Sequence, residues 1–174
     1  MIELEICIDA DDRDALRENV SAAQEGGASR IELCSSLTQE GLTPTETDIL
    51  IAREAFRHSG LLVMIRPRAG DFVYSAQEVD QMMCSIEVAN RAGADGVVFG
   101  ALDDMMGEID HKTTAALTQI ATTNGLQVTF HRAIDATRDS VEAVDILRYL
   151  GVHRVLSSGT SWDSAKPAQE GVET

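Results

Sequence analysis

Short apolar runs separated by longer helix-period segments recur about every 30 residues in this chain, which restricts it to a succession of βα units. The runs fall at residues 2–8, 30–34, 61–66, 96–100, 127–131 and 154–157. Between them, Val79, Met82, Met83, Ile86 and Ala89, or Val141, Val144, Leu147 and Leu150, carry the spacing of a helix with one apolar face. Thr43, Pro44 and Glu46 predict a capped helix start, and the pairs Ser75/Glu78 and Asp139/Glu142 predict two more. Glycines then close the helices ahead of the next strand, at Gly26, Gly27, Gly93, Gly125 and Gly151.

Repeated βα units make a parallel sheet, either doubly wound or curled into a barrel. A doubly wound nucleotide fold needs a glycine-rich turn after its first strand, and Asp9, Asp11 and Asp12 are the chemical opposite. Turns into the strands are short, while several strand-to-helix connections are long and polar, the asymmetry of a (β/α) barrel with its chemistry on the carboxyl-end loops. The expectation is a TIM barrel truncated to about six βα units, one incomplete domain over residues 1–174. A complete barrel uses about 250 residues. Either the sequence is truncated or another subunit supplies the remaining wall.

The balance of 14 basic against 29 acidic residues, a net charge of −15, repels nucleic acid and anionic lipid surfaces. No apolar stretch approaches the ~20 residues of a membrane span, and the first residues lack the basic-then-apolar pattern of a secretory signal. Three widely spaced cysteines make no disulfide framework. These features predict a cytoplasmic protein with reduced thiols.

Candidate functional residues gather at strand ends. Glu5-Ile6-Cys7 and Glu32-Leu33-Cys34 repeat one phrase on neighbouring strands. Side chains alternate along a strand, so each Glu shares a face with its Cys, predicting two carboxylates and two thiols on one surface. Two thiols without a close histidine suit Cu(I) better than the four-ligand cage of zinc. The third strand runs into Arg66, Pro67, Arg68, Gly70 and Asp71, where arginine forks suit carboxylate or phosphate. Neutralisation of Glu5 and Glu32 by these arginines is an equal reading. Asp103 reads as a loop former. His131, followed by Arg132 and Asp135, stands where an acid, base or metal ligand is useful. Ser158 and Gly159 lie in a hydroxyl-rich turn that presents N–H groups to an anion or simply turns the chain. Cys84, Met82 and Met83 read as core packing.

These phrases, together with Glu-Gly-Leu-Thr-Pro at residues 40–44, Ile-Arg-Pro-Arg-x-Gly-Asp-Phe-x-Tyr at 65–74, Thr-Phe-His-Arg-Ala-x-Asp at 129–135 and Leu-x-Ser-Gly at 156–159, resemble the CutC copper homeostasis family. The resemblance implies a TIM barrel, a cytoplasmic location, homo-oligomers and a role in copper tolerance through Cu(I), with Cys7 and Cys34 as the ligands. Members of that family continue through two further strands, including a glycine-rich phosphate-binding segment. Their loop usually opens Gly-Gly, where this chain has Glu40. The residues argue equally for a barrel enzyme acting on a small anionic metabolite. There Glu5 or Glu32 is the base, His131 the acid, and Arg66, Arg68, Asp71, Arg132, Asp135, Ser158 and Gly159 form the ligand-binding surround. An incomplete barrel serving as an assembly module is a third reading.

Overall fold

The structure, a computed structural model, describes residues 3–104 and 107–162. Its six strands are β1 (Glu5–Asp9), β2 (Arg30–Cys34), β3 (Leu61–Met64), β4 (Gly96–Phe99), β5 (Gln127–Phe130) and β6 (Arg154–Val155). They pair in parallel and in sequence order, so β1 and β6 are the edges of one curled sheet. The helices α1 (Arg13–Glu25), α2 (Glu46–Ala55), α3 (Ala76–Arg91), α4 (His111–Thr123) and α5 (Ser140–Tyr149) alternate with the strands. This is the expected six-unit portion of a TIM-type barrel. The predicted strand start at Ile2 and the chain from Asp163 onward lie outside the described residues.

Strand alternation separates two interiors. Ile8, Ile31, Leu33, Leu61, Val63, Val97 and Val128 point outward and are buried against Leu16, Val20, Ile49, Met82, Ile86 and Leu117 of the helices. Each such side chain removed from water contributes about 1.5–3 kcal/mol, so this layer is the main stabilising core. The inward positions are mixed: Cys34, Leu62, Met64 and Val98 form a small apolar cluster, and Glu32, Arg66, Thr129 and His131 are buried polar neighbours. Aliphatic residues outside hold the helices; polar residues inside build the site.

The caps follow local chemistry. Ser75 and Glu78 form the expected capping box on α3, and Asp139 caps α5. The start of α2 is corrected. Thr45, not Thr43, is its N-cap, closing a box with Asp48, because the Thr43 hydroxyl is engaged with the backbone N–H and C=O of Arg66. Asp48 also accepts from Arg13 at 2.6 Å, tying α1 to α2. Cys84 is corrected too. The buried stripe of α3 is Met82, Ile86 and Ala89, and a residue two positions beyond Met82 turns to solvent, so Cys84 is exposed.

Candidate functional site

The ladder between β1 and β2 pairs Glu5 with Arg30, Cys7 with Glu32 and Asp9 with Cys34. The two Glu-x-Cys phrases are therefore two residues out of step, a correction to their expected equivalence. Sequence repetition carries no information about register, which strand stagger sets. One consequence removes Glu5 from the mouth. It begins β1 at the amino-terminal end and donates its charge to an ion pair with Arg30 at 2.7 Å, beside Glu3. The other brings Cys7 and Glu32 side by side, with Cys7 Sγ 3.8 Å from Glu32 Oε1 and 3.8 Å from Cys34 Sγ.

A cavity of about 270 Å³ opens at the carboxyl ends of the strands, lined among others by Cys7, Glu32, Arg66, Phe72, His131 and Arg132. Glu32 is buried, and its Oε2 has no hydrogen-bond partner. Burial, reinforced by the negative charge of Glu5 and opposed by the Cys7 hydrogen bond, raises its carboxyl from the ordinary 4.5 to about 7. Cys34 lies behind it, fully buried, its thiol pushed up by the Cys7 hydrogen bond, by burial and by nearby negative charge. Cys7 is exposed to the cavity.

Across the cavity, His131 is buried at the end of β5. Its Nδ1 accepts from the Ala133 N–H at 3.1 Å, which leaves the ring proton on Nε2, an atom without a partner. Burial first, and the Arg66 charge second, hold the imidazole down to about 3, so at neutral pH it is an uncharged donor rather than an imidazolium. Gly100 makes room for it: a Cβ there would stand 2.6 Å from the ring. Phe72 packs on the other side, 5.0 Å from the imidazole and 5.1 Å from the Arg66 guanidinium.

Arg66 is 1% exposed, and it does not neutralise Glu5 or Glu32. Its Nη1 donates to the carbonyls of Gln39, Glu40 and Gly41 at 3.0–3.3 Å, and Nη2 to Gly70 at 2.8 Å. It thus clamps the loops after β2 and β3 while keeping a buried positive charge beside His131. The clamped loop contains Ser36 and Glu40 in the left-handed region, at φ 50° and 66°. Glu40 reaches 4.0 Å from Arg66 Nη2 and lines the cavity.

The remaining predicted residues are placed differently. Arg68 is occupied by Glu78 at 2.6 Å and Asp71 at 2.8 Å, away from the cavity lining. Asp135 binds Arg132 Nε, the Ser158 N–H and both serine hydroxyls of the turn. Burial raises its carboxyl, but these hydrogen bonds outweigh burial and hold it below the ordinary range. Because Asp135 takes the Ser158 N–H and the Ser157 hydroxyl takes that of Gly159, the turn is internally satisfied. Arg132 reaches the cavity rim and stacks 4.9 Å from the Trp162 ring. Trp162, Met64 and Leu156 complete the wall without having been singled out in sequence. The single tryptophan of the chain was the available signal.

Among the described residues no group of three or more His, Cys, Asp or Glu side chains is arranged to hold a metal ion. A metal at this mouth would rest on the two sulfurs alone, a donor set that fits Cu(I) and not zinc. Neighbouring strands lie about 4.8 Å apart and rise about 3.3 Å per residue, so the offset separates the two cysteine Cα atoms by about 8 Å. That exceeds the ~7 Å limit of a disulfide, so an ion spans these thiols more readily than a covalent bond does.

A sequential parallel sheet with its polar cluster at the carboxyl-end mouth defines the class of TIM-barrel proteins. The chain belongs to the CutC family, whose model matches residues 2–172. It is 48% identical over 142 residues to a family protein CutC of Bacteroides fragilis, covering 82% of this chain and 55% of that one. Its identity to a family protein CutC of Xylella fastidiosa is 47% over 153 residues, covering 88% and 54%. The chain thus spans about half the length of these curated relatives. It superposes on the structure of a copper homeostasis protein CutC from Streptococcus agalactiae with a TM-score of 0.84 at 32% identity, covering 99% of this chain and 79% of that one. A deoxyribose phosphate aldolase from Aeropyrum pernix shares the fold, with a TM-score of 0.63 at 13% identity over 90% of this chain and 63% of that one. No helix among the described residues is long and apolar enough to cross a membrane.

Proposed function

We propose that this chain handles copper as cargo, taking Cu(I) on Cys7 and Cys34 at the mouth of the half-barrel, in the cytoplasm and as a homo-oligomer. The observation that carries this reading is the 3.8 Å approach of two thiols whose backbone offset disfavours a disulfide. Cys7 is exposed for capture and Cys34 is buried for retention. The net charge of −15 favours a cation over an anion at long range. Cytoplasmic location is supported by the widely spaced cysteines and by the resemblance to the family, and oligomerisation by that resemblance. Because the Cys34 thiol holds its proton tightly, Cu(I) displaces that proton and the apparent affinity rises with pH. The test is an anaerobic Cu(I) competition titration against a chelator of known affinity. One tight equivalent that disappears in the Cys7→Ser/Cys34→Ser variant is expected; equal binding by both proteins refutes the proposal.

A second reading, a barrel enzyme for a small anionic metabolite, is favoured by a separate observation. Glu32 Oε2 and His131 Nε2 are both buried without partners on side chains that line one cavity, with Arg66 and Arg132 beside them. Unpartnered buried polar atoms are costly unless a ligand or water completes them. Saturation-transfer NMR with pyruvate and dihydroxyacetone phosphate tests this reading. Binding weakened by Arg132→Ala supports it, and absence of contact with either compound refutes it.

A further inference from the structure

His131 follows β5, Arg132 is next in the chain, and both line the cavity of about 270 Å³. That volume lies just below the roughly 300–1,000 Å³ of pockets for drug-sized ligands, so the cavity suits a smaller molecule. His131 is more than nine-tenths buried. Because its Nδ1 accepts from the Ala133 N–H, its Nε2 carries a proton that no described residue receives. A buried donor left in this way calls for an acceptor on a ligand or water. Arg132 holds Asp135 through Nε and the Ser158 hydroxyl through Nη2, while Nη1 has no acceptor among the described residues. It retains capacity for one further oxyanion contact. Met64, Phe72, Leu156 and Trp162 supply apolar wall between and around these two donors.

The donors present suit one negative group of modest charge. A phosphate ester carries about −1.5 to −2 at neutral pH and three strong acceptor oxygens. The turn after β6 does not answer them, because the Ser158 N–H goes to Asp135, the Gly159 N–H to the Ser157 hydroxyl and the Thr160 N–H to the Ser158 hydroxyl. Arg66 is committed to loop carbonyls, and Asp135 already pairs with Arg132. We infer that the cavity binds a small monocarboxylate with an apolar body and a carbonyl or hydroxyl oxygen close to the carboxylate, and discriminates against phosphate esters. The inference rests on the second reading above and narrows its anionic metabolite to this class. The carboxylate meets Arg132 Nη1 at the rim, the neighbouring oxygen accepts from His131 Nε2–H, and the apolar body packs on Phe72 and Trp162. The two donors belong to consecutive residues, so the groups they meet lie close together on the ligand.

The single tryptophan, Trp162, lies on the cavity wall 4.9 Å from both the Phe72 ring and the Arg132 guanidinium, so its fluorescence reports occupancy. The test titrates the copper-free full chain with 4-methyl-2-oxopentanoate, with 4-methylpentanoate and with dihydroxyacetone phosphate, read by this fluorescence and by saturation-transfer NMR. Expected is binding of the oxo acid at least about tenfold tighter than that of either other compound. Arg132→Ala weakens it at least about tenfold, and His131→Phe erases the preference for the oxo acid over 4-methylpentanoate. Equal affinity for the two acids, or a preference retained in folded His131→Phe, overturns the inference. Dihydroxyacetone phosphate bound as tightly as the oxo acid also overturns it and leaves the second reading standing. No response to any of the three compounds removes both. The ranking of the three is read on the wild type, so a misfolded substitution does not leave the question open.

Discussion

Replacing Glu32 by Gln should stabilise the protein, and more so at high pH. The carboxyl is shifted from the ordinary 4.5 to about 7 by burial, by the charge of Glu5, and against the Cys7 hydrogen bond. Its folded pKa is above its unfolded value, so the folded state holds the proton more tightly. Stability from this group is fully present below about 4.5 and is lost as pH rises to about 7. At about 1.4 kcal/mol per pH unit, that loss is of order 3 kcal/mol, most of it between pH 5 and 8. His131 works in the opposite sense. Its pKa is lowered from 6.5 to about 3, so its contribution is present above 6.5 and is lost as pH falls. The two trends overlap near pH 5–6, and the wild-type profile alone does not separate them. The difference between Glu32→Gln and wild type does, because His131 is common to both. Urea unfolding at pH 5 and pH 8 should show that difference growing by about 2–3 kcal/mol at the higher pH. A difference unchanged between the two pH values would refute the burial of the Glu32 carboxyl and, with it, its role as a base.

Three further substitutions probe the frame of the mouth. Gly100→Ala sets a methyl 2.6 Å from the His131 ring and 2.8 Å from Ala133, so thermal unfolding should show a loss of about 1–3 kcal/mol, and a neutral result would mean the ring is free to move. Arg66→Met strips the carbonyls of Gln39, Glu40, Gly41 and Gly70 of their donor, for an expected loss of about 3–5 kcal/mol. A loss below about 1 kcal/mol would show that the clamp is not needed. Glu40→Gly relieves a left-handed backbone at φ 66° and sacrifices only a half-exposed 4.0 Å ion pair, so denaturant titration should show a gain of about 0.5–1 kcal/mol. Destabilisation would mean the Glu40 side chain supports the loop.

The succession of βα units was legible because strand alternation, capping residues and closing glycines are local signals, each visible within one turn of helix or one strand. Ser75 with Glu78 shows this directly, since the residues that form the cap are three apart in sequence. Thr43 misled for the opposite reason: it has cap chemistry, but Arg66, 23 residues away in the segment that follows β3, claims its hydroxyl. Cys84 misled because adjacent apolar residues in a helix cannot all face one way. The site was legible as a set of residue types and illegible as an arrangement. Glu5 and Glu32 look identical in their phrases, yet the two-residue offset sends one to an ion pair and the other to the cavity. Arg66 and Arg68, two residues apart, likewise divide into a buried clamp and a surface pair. Register and loop closure decide such outcomes, and both depend on contacts about 25 or more residues away in sequence.

The copper proposal is tested most directly by X-ray absorption at the copper edge, on the protein loaded anaerobically with one equivalent of Cu(I). Ligation by Cys7 and Cys34 gives a two-coordinate spectrum with two sulfur scatterers, lost in Cys7→Ser/Cys34→Ser. A first shell of nitrogen or oxygen, or a spectrum unchanged in that variant, would contradict it.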